Sequence, residues 1–422
     1  MFQIKRKCQL SFREEFITTQ KINLVDMIDG LIRKTGLLYF SKVHKVHWLG
    51  NFAAFCFFTA YVLQIIALSM ANGDPERLFE CFSVLSFCGM GVLKLISLRY
   101  NHKHWRQLLT QISSLENEQL NDKNSSTSMF QSNTDGGFTH HAINNYTNNF
   151  KRTSTILTRM YSFTVVIFIS SPYVEHFLGQ LRGVGQAGYP HILPIWAPLD
   201  SFSIFGYSIT AACECLAAVY CVCVHIAFDL TSVGIMIFIC GQFSLLRGCS
   251  ERIGGSGKML NLSKKRDDRA HFRIVKCHRT HILLTNLIVK LDNLLKNILG
   301  VYFFVATMTL CSVAIRINSE MSVMQLVSLL QYMCASLTQL FLFCRYGDTV
   351  LNESSVNMGQ GPSGAAYWCL SPRVRRELSI LSAGMMRPQR LRAGPFHSLD
   401  LPSFIQVVRA AYSYYAVLGN KE

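Results

Sequence analysis

Long apolar runs separated by polar, basic stretches are the dominant pattern along this chain of 422 residues. A helix needs about 20 consecutive apolar residues to cross the hydrocarbon core of a bilayer. Runs close to that length predict seven membrane-spanning helices, at Trp48–Met70, Phe79–Arg99, Thr155–Phe177, Phe202–His225, Leu295–Ile317, Met321–Arg345 and Ser403–Leu418. The pattern therefore predicts an all-α integral membrane protein, because soluble core helices rarely reach this length without a charge.

The last run is barely long enough for a span and is too polar to face lipid. Gln406, Arg409 and Ser413 recur at spacings of three and four residues, so they share one helical face. Polar side chains inside a bilayer point at protein or at water. The stripe indicates either a pore lining or a buried seam between helices.

The fourth run is longer than one crossing requires. Residues 202–246 would extend over about 67 Å as a helix, at about 1.5 Å per residue. A hairpin of two spans would place the basic segment that follows outside the cell, against the charge rule for membrane proteins. We therefore expect one helix that crosses the membrane and continues into the cytoplasm.

Lysine and arginine are unevenly distributed among the connecting segments. Most lie in residues 1–47 and in the loops after the second, fourth and sixth spans, and few lie on the other side. Basic residues mark the cytoplasmic side of a membrane. We expect a cytoplasmic N-terminus and an extracellular C-terminus, opposite to a G-protein-coupled receptor. The net charge of +16 then reflects topology and does not indicate a nucleic-acid partner.

These features divide the chain into six regions. They are a cytoplasmic segment (1–47), four spans with an outer pocket and a long fourth helix (48–246), a cytoplasmic loop with an amphipathic helix (247–294), two spans (295–345), a cytoplasmic region (346–402), and the last span with a short tail (403–422). Residues 115–150 and 250–270 are rich in polar residues and glycine, which predicts flexible loops.

The sequence contains no phosphate-binding glycine loop, no zinc helix motif and no nucleophile elbow. Most of the 15 cysteines lie inside apolar runs, where they act as small hydrophobic residues. We therefore expect no enzyme activity, no cofactor and no metal.

Ionisable residues inside spans are candidate functional groups. Lys94, Arg159 and Lys296 lie near the predicted cytoplasmic ends of their spans, where long basic side chains can reach the interface. Glu214 lies in the middle of its span and needs a partner or water.

Aromatic residues fill the outer halves of the second, third, fourth and sixth spans. An apolar pocket with a few polar groups would suit a small hydrophobic ligand. The aromatic candidates are Phe82, Phe168, Tyr173 and Phe205, and the polar ones are Ser171, Ser208 and Gln331.

From Phe343 onward the sequence resembles the insect odorant receptor family. The residues that follow the order and spacing of that family are Phe343-Cys-Arg-Tyr-Gly-Asp348, Glu353-Ser354, Tyr367-Trp368, Arg375-Arg376, Met385-Met-Arg-Pro-Gln389, Gly394 and Tyr412-Ser-Tyr-Tyr415. His281 and the helix after it resemble the segment before the fifth span of that family. Arg345 departs from the pattern, since many members carry an aromatic residue there.

The resemblance implies a heterotetrameric, non-selective cation channel that a small volatile molecule opens. The chain looks like a ligand-tuning subunit and not like the shared co-receptor, which would be its partner in the plasma membrane of sensory neuron dendrites. The resemblance also implies an odorant pocket between the second, third, fourth and sixth spans, where Met324 joins the candidates. The cytoplasmic ends of the last four spans would form an intersubunit anchor.

The resemblance further implies that the final helix of each subunit surrounds a central pore. The implied lining residues are Gln406, Arg409, Ala410 and Ser413. A gustatory-type ligand-gated channel is the first alternative, and a membrane transporter is the second.

Overall fold

The computed structural model describes residues 24–34, 48–70, 75–121, 133–181, 189–196, 204–255, 262–317 and 323–419. Within these ranges the chain is almost entirely helical, as predicted. The helices are α1 (Leu24–Lys34), α2 (Trp48–Met70), α3 (Pro75–Tyr100), α4 (His102–Asn121), α5 (Asn133–Leu181), α6 (Ile204–Glu251), α7 (Lys264–Ile317), α8 (Val323–Ser354), α9 (Val356–Gly364), α10 (Pro372–Met385) and α11 (Leu401–Gly419). A 3₁₀ turn at Tyr367–Cys369 follows α9, and two short antiparallel strands, β1 (Arg392–Ala393) and β2 (His397–Ser398), precede α11.

Six of the described helices are long and apolar enough to cross a membrane, namely α2, α3, α5, α6, α7 and α8. They contain the first six predicted spans, apart from residues 202–203 and 321–322, which lie outside the described ranges. The seventh predicted span forms α11, which carries the polar stripe and is not among these six. The fold is therefore that of a multi-pass membrane protein, and the seventh crossing stays a prediction.

Helix α6 confirms the prediction of a single overlong helix in place of a hairpin, since its 48 residues are unbroken. Helix α7 is also continuous over 54 residues, and it joins the predicted amphipathic helix to the fifth span. The two helices therefore extend well beyond the length that a bilayer requires.

The prediction of flexible loops at 115–150 and 250–270 was wrong for much of their length. Helix α4 continues into the first segment, α5 begins within it, and α7 begins within the second. Residues 122–132 and 256–261 lie outside the described ranges.

The first half of α5 carries an apolar stripe that composition alone obscures. Ile143, Tyr146 and Phe150 recur at spacings of three and four residues and are all buried. The ring of Tyr146 lies 5.8 Å from the ring of Phe238 on α6. Asparagine and threonine outnumber these three apolar residues. The average composition of the segment therefore resembles that of a loop, although its apolar residues share one helical face.

Helix α6 forms the centre of the protein. Every residue from 224 to 239 is buried, which is about four turns and therefore includes all sides of the helix. Helices α1, α2, α3, α5, α7, α8 and α9 pack around it. Its apolar residues consequently form no single stripe, as is typical of a helix that is buried on all sides.

A buried carboxylate attaches α1 to the rest of the protein. Glu116 on α4 accepts hydrogen bonds from the backbone N–H of Leu24 at 3.1 Å and from the hydroxyl of Tyr146 at 2.8 Å. Burial raises the pKa of the Glu116 carboxyl because it removes water from the charged form, and the hydrogen bonds partly offset this shift. Glu116 thus caps the start of α1 and joins it to α4 and α5.

The segment before α11 is held against α7. Arg392 donates hydrogen bonds to the Asp292 carboxylate from its backbone N–H (2.8 Å) and its guanidinium (2.6 Å). The N–H of Gly394 donates to the carbonyl oxygen of Lys296 at 2.7 Å. Gly300 leaves room for this backbone, since a methyl group added there would lie 2.7 Å from the Gly394 Cα. These contacts fix where α11 begins on α7.

Asp400 caps the start of α11. Its carboxylate accepts a hydrogen bond from the backbone N–H of Ser403 at 2.9 Å, as in a helix N-cap. Partial burial raises the pKa of the Asp400 carboxyl, but hydrogen bonds from Ser398 and Ser403 outweigh that effect, and the pKa lies below its usual range.

We expect Gly300→Ala to destabilise the protein by about 1–3 kcal/mol, because the added methyl group pushes two backbones apart. Gly384→Ala is the matched control, since Gly384 is also helical but has open space around the added group. That control should be neutral or stabilising by about 0.5–1 kcal/mol. Melting temperatures of fluorescently tagged protein in detergent measure both. Equal melting temperatures would contradict the close packing of Gly300 on Gly394.

Candidate functional site

A cavity of about 310 Å³ lies between α3, α5, α6 and α8, with residues 191–194 along one side. Each helix contributes side chains three or four positions apart, because such positions share one helical face. Most of the wall is apolar. The apolar lining includes Val84, Phe87, Val165, Phe168, Val222 and Leu329. A cavity of this size and lining fits a small hydrophobic molecule.

A second depression, an open groove of about 340 Å³, lies between α4 and α7. Glu118, Arg279 and Lys290 are among the residues that line it. The Lys290 ammonium donates a hydrogen bond across the groove to the Gln111 side chain at 2.8 Å. The groove is open and has charged residues in its lining, so it suits a small apolar ligand less well than the interhelical cavity does.

Hydroxyl groups interrupt the apolar wall. The hydroxyl of Ser328 on α8 lies 2.9 Å from that of Ser171 on α5, and 3.0 Å from the carbonyl oxygen of Met324. A hydroxyl has one hydrogen and two acceptor lone pairs, so Ser328 can donate to only one of them at a time. Rotation of the two hydroxyls therefore lets the pair donate to, or accept from, a ligand oxygen.

Charged groups at one end of the cavity are balanced in sign. Arg77 and Arg316 line this end together with Glu80 and Glu175. The Glu175 carboxylate accepts a hydrogen bond from the Gln325 amide at 2.9 Å. Two formal positive and two formal negative charges provide no net attraction for an ion, which favours a neutral ligand.

The segment 189–196 is tied to α6 by a buried carboxylate. Glu214 accepts hydrogen bonds from the backbone N–H groups of Ile192 at 2.8 Å and Leu193 at 3.3 Å, and it lies 2.8 Å from Nδ1 of His191. The expectation that Glu214 needs a partner is confirmed. The Tyr207 hydroxyl also donates to the carbonyl oxygen of Pro190 at 3.0 Å. This segment is therefore an ordered wall of the cavity.

Lys94 does not reach the interface, contrary to the sequence-based expectation. Its side chain is only 1% exposed, and its ammonium lies 2.6 Å from the carboxylate of Asp229, which is equally buried. Asp229 was missed because the predicted fourth span ends before it. An acidic residue inside the apolar run 204–246 was the available signal, since an unpaired charge buried there would cost several kcal/mol.

The Asp229 carboxylate has two more partners on other helices. The Tyr161 hydroxyl of α5 donates to it at 2.6 Å, and the Gln339 amide of α8 donates to it at 2.9 Å. His225, one turn before Asp229, places Nδ1 3.0 Å from the Lys94 ammonium. The carboxylate is thus hydrogen-bonded as fully as a buried charge requires.

Two of the predicted pocket residues, Phe168 and Ser171, line the cavity. Gln331 does not line the cavity, but its amide donates a hydrogen bond to the lining residue Thr164 at 3.1 Å. Phe82, Tyr173 and Met324 belong to lining helices but lie outside the lining.

The two predicted pocket residues of α6 also lie outside the lining. Phe205 is 76% exposed, and the Ser208 hydroxyl donates to the Ile204 carbonyl oxygen of its own helix. Among the described residues no group of three or more histidine, cysteine or acidic side chains is arranged to hold a metal ion.

The predicted pore residues share one face of α11. Ser403, Val407 and Ala411 recur every four residues and are buried on the side that faces this chain. On the other side, the residues that this chain leaves uncovered include Gln406, Arg409 and Ser413, which are exposed, and Ala410, which is half-buried.

Comparisons with known proteins agree with this architecture. The sequence profile of the family described as 7tm Odorant receptor matches residues 74–412. Odorant receptor 13a of Drosophila melanogaster is 24% identical over 353 residues, which cover 78% of each chain. Odorant receptor 85c of the same species is 20% identical over 363 residues, covering 84% of this chain and 86% of that protein.

Among solved structures, the olfactory receptor OR5 of the insect Machilis hrabei in complex with eugenol has the same fold. The two superpose with a TM-score of 0.73 at 14% sequence identity, over 94% of this chain and 98% of that one. The family profile extends from the start of α3 into α11 and includes all four helices of the cavity. This chain therefore belongs to the 7tm odorant receptor family.

Proposed function

We propose that this protein is the odorant-tuning subunit of a ligand-gated, non-selective cation channel, which it forms with the odorant receptor co-receptor. The observation that carries the proposal is the apolar cavity between α3, α5, α6 and α8, in a chain of the odorant receptor family. A small, neutral, hydrophobic volatile molecule is the ligand that such a wall accommodates.

The proposed mechanism is a shift between closed and open states. An odorant that binds the open state more tightly moves the equilibrium toward it. Helix α8 lines the cavity and also contacts the final helix, where the rings of Phe341 and Phe404 lie 5.7 Å apart. Movement of α8 can therefore reach α11.

In the proposed channel, the uncovered face of α11 lines a central pore, with Gln406, Ala410 and Ser413 along the ion path. A ring of arginines would repel cations. We therefore assign Arg409 to the edge of this face, against a neighbouring helix.

The proposed topology has a cytoplasmic N-terminus, seven crossings and an extracellular C-terminus, in the plasma membrane of sensory neuron dendrites. Residues 346–402 then form a cytoplasmic region between subunits. Tyr367, Trp368 and Phe396 are exposed in this region, as expected for a surface that another subunit covers.

Co-expression with the odorant receptor co-receptor tests the function directly. We expect inward cation currents in response to at least one compound of a panel of hexan-1-ol, 2-heptanone, ethyl butanoate and eugenol, because the cavity accepts small neutral molecules. Patch-clamp recording measures the currents, and cells with the co-receptor alone are the control. Uptake of a panel compound above that of the control cells, without any current, would contradict the proposal and favour a transporter.

The hydroxyl pair predicts a specific loss in the variant Ser171→Ala. We expect the half-maximal concentration of an active, oxygenated panel compound to rise about fivefold, because one ligand hydrogen bond is lost. The response to the hydrocarbon with the same carbon skeleton should not change. Ser170→Ala is the matched control, since the hydroxyl of Ser170 donates to the carbonyl oxygen of Ile167 and lies outside the lining. Equal effects of the two variants would rule out this role for Ser171.

Cysteine substitution in α11 tests the pore lining. Ser413 lies on the uncovered face, whereas Ala411 is 6% exposed and faces this chain. A positively charged methanethiosulfonate reagent, applied outside, should reduce odorant currents by roughly half or more in Ser413→Cys, because a fixed charge in the path repels cations. Ala411→Cys should behave like the unsubstituted receptor. The unsubstituted receptor measures how far the reagent reduces currents by reacting with native cysteines. Identical responses of the two variants would contradict the pore lining.

A further inference from the structure

Five buried side chains beneath the cavity form a cluster that the proposed binding of odorant does not itself require. They are Lys94 on α3, Tyr161 on α5, His225 and Asp229 on α6, and Gln339 on α8, and we call them the charge cluster. Its centre is the ion pair between Lys94 and Asp229, whose side chains are both 1% exposed. The cluster therefore joins four helices at a point that is almost completely buried within the chain.

The cluster begins directly at the floor of the cavity. The ring of Phe87, which lines the cavity, stacks on the imidazole of His225 with 4.3 Å between centroids. Nε2 of His225 also lies 3.3 Å from the carbonyl oxygen of Phe87. Tyr332, another lining residue, packs edge-on against Phe87 at 6.0 Å. A molecule in the cavity therefore contacts Phe87 and Tyr332, and Phe87 packs directly on His225 of the charge cluster.

The other end of the cluster reaches the helices that hold α11. The Gln339 amide on α8 donates to Asp229 at 2.9 Å, and it lies two turns beyond Tyr332, or about 10 Å along the helix. The ring of Tyr302 on α7 lies 5.7 Å from the Lys94 ammonium. Helices α7 and α8 both pack against α11. The charge cluster thus connects the floor of the cavity to α7 and α8, the two helices that pack against α11.

Stability alone does not explain a buried ion pair of this kind. Apolar residues of similar volume are often equally or more stabilising, because the pair must offset the loss of hydration of both charges. A buried pair is, however, sensitive to small displacements, and its best-supported use is to fix the register of packed elements or to act as a switch. Helix shifts of about 1–2 Å, which are common in gating transitions, are large enough to break it.

We infer that Lys94 and Asp229 are positioning residues that couple the occupancy of the cavity to the position of α11. The inference rests on the proposed channel function. Displacement of Phe87 by a ligand changes its stacking on His225, and the ion pair transmits that change to α7 and α8. The cluster sets the balance between closed and open states, while the cavity wall sets which molecules bind.

A double-mutant cycle separates this coupling from folding. The variants Lys94→Met, Asp229→Leu and the double substitution are co-expressed with the co-receptor, labelled at the cell surface and recorded with the panel of four compounds. Each single variant leaves one buried charge unpaired, so we expect reduced surface labelling. The double variant removes both charges and should reach the surface at close to the unsubstituted level.

The expected signature of the double variant is a changed gating equilibrium with unchanged selectivity. Half-maximal concentrations for all active panel compounds should move in the same direction by about fivefold or more, with the same rank order. A double variant with normal surface labelling and unchanged concentration–response curves would overturn the inference. A changed rank order would also overturn it, because the substitutions would then act on the cavity wall.

A milder pair of variants keeps the test decisive if the double variant fails to reach the surface. Gln339→Leu removes the hydrogen bond from α8 to Asp229 and leaves both charges in place. Thr338→Val is the matched control on the preceding residue, since its hydroxyl donates to the carbonyl oxygen of Cys334 in its own helix. We expect the concentration–response curve to shift about fivefold in Gln339→Leu and to remain unchanged in Thr338→Val. Matching curves for both variants would refute the coupling.

The same recordings distinguish this inference from the proposed function. An unsubstituted receptor that is silent with the whole panel contradicts the channel function itself. A responsive receptor whose variants all respond normally contradicts only the coupling through the charge cluster.

Discussion

The burial of α6 on all sides is the constraint on which the rest of this structure depends. Sixteen consecutive residues, 224–239, are all buried. Asp229 lies inside this stretch, so its charge needs a partner from another helix. Lys94 supplies that partner, and Tyr161 and Gln339 complete the hydrogen bonding of the carboxylate. The central helix therefore determines how α3, α5 and α8 are aligned with one another.

The cavity follows from the same arrangement. Before residue 224, α6 is only partly buried, and there Ala218, Cys221 and Val222 line the cavity together with residues 191–194. Glu214 holds that segment in place through two backbone N–H groups and His191. Helix α6 thus carries both Glu214, which holds part of the cavity wall in place, and Asp229, which lies beneath the cavity.

The sequence predicted the helices well because the length of an apolar run can be counted directly and compared with the length that a membrane span requires. The six long apolar helices and the unbroken α6 were all recognisable from apolar runs and from the charges of the connecting segments. The start of α5 was not, because its buried stripe of Ile143, Tyr146 and Phe150 is diluted by polar residues. Lys94 was assigned to the interface for a related reason, since its position near one end of a span does not reveal which helix lies beside it.

The sequence by itself determined the helical class, the family and the polar face of α11, because these depend on the order and spacing of residues along one chain. Tertiary structure alone decided that Lys94 meets Asp229, that Phe168 and Ser171 line the cavity, and that Phe205 lies on the outside. Helical periodicity specifies which residues share a face. Which two faces meet is set by the packing of whole helices, and that packing depends on residues far apart in the chain.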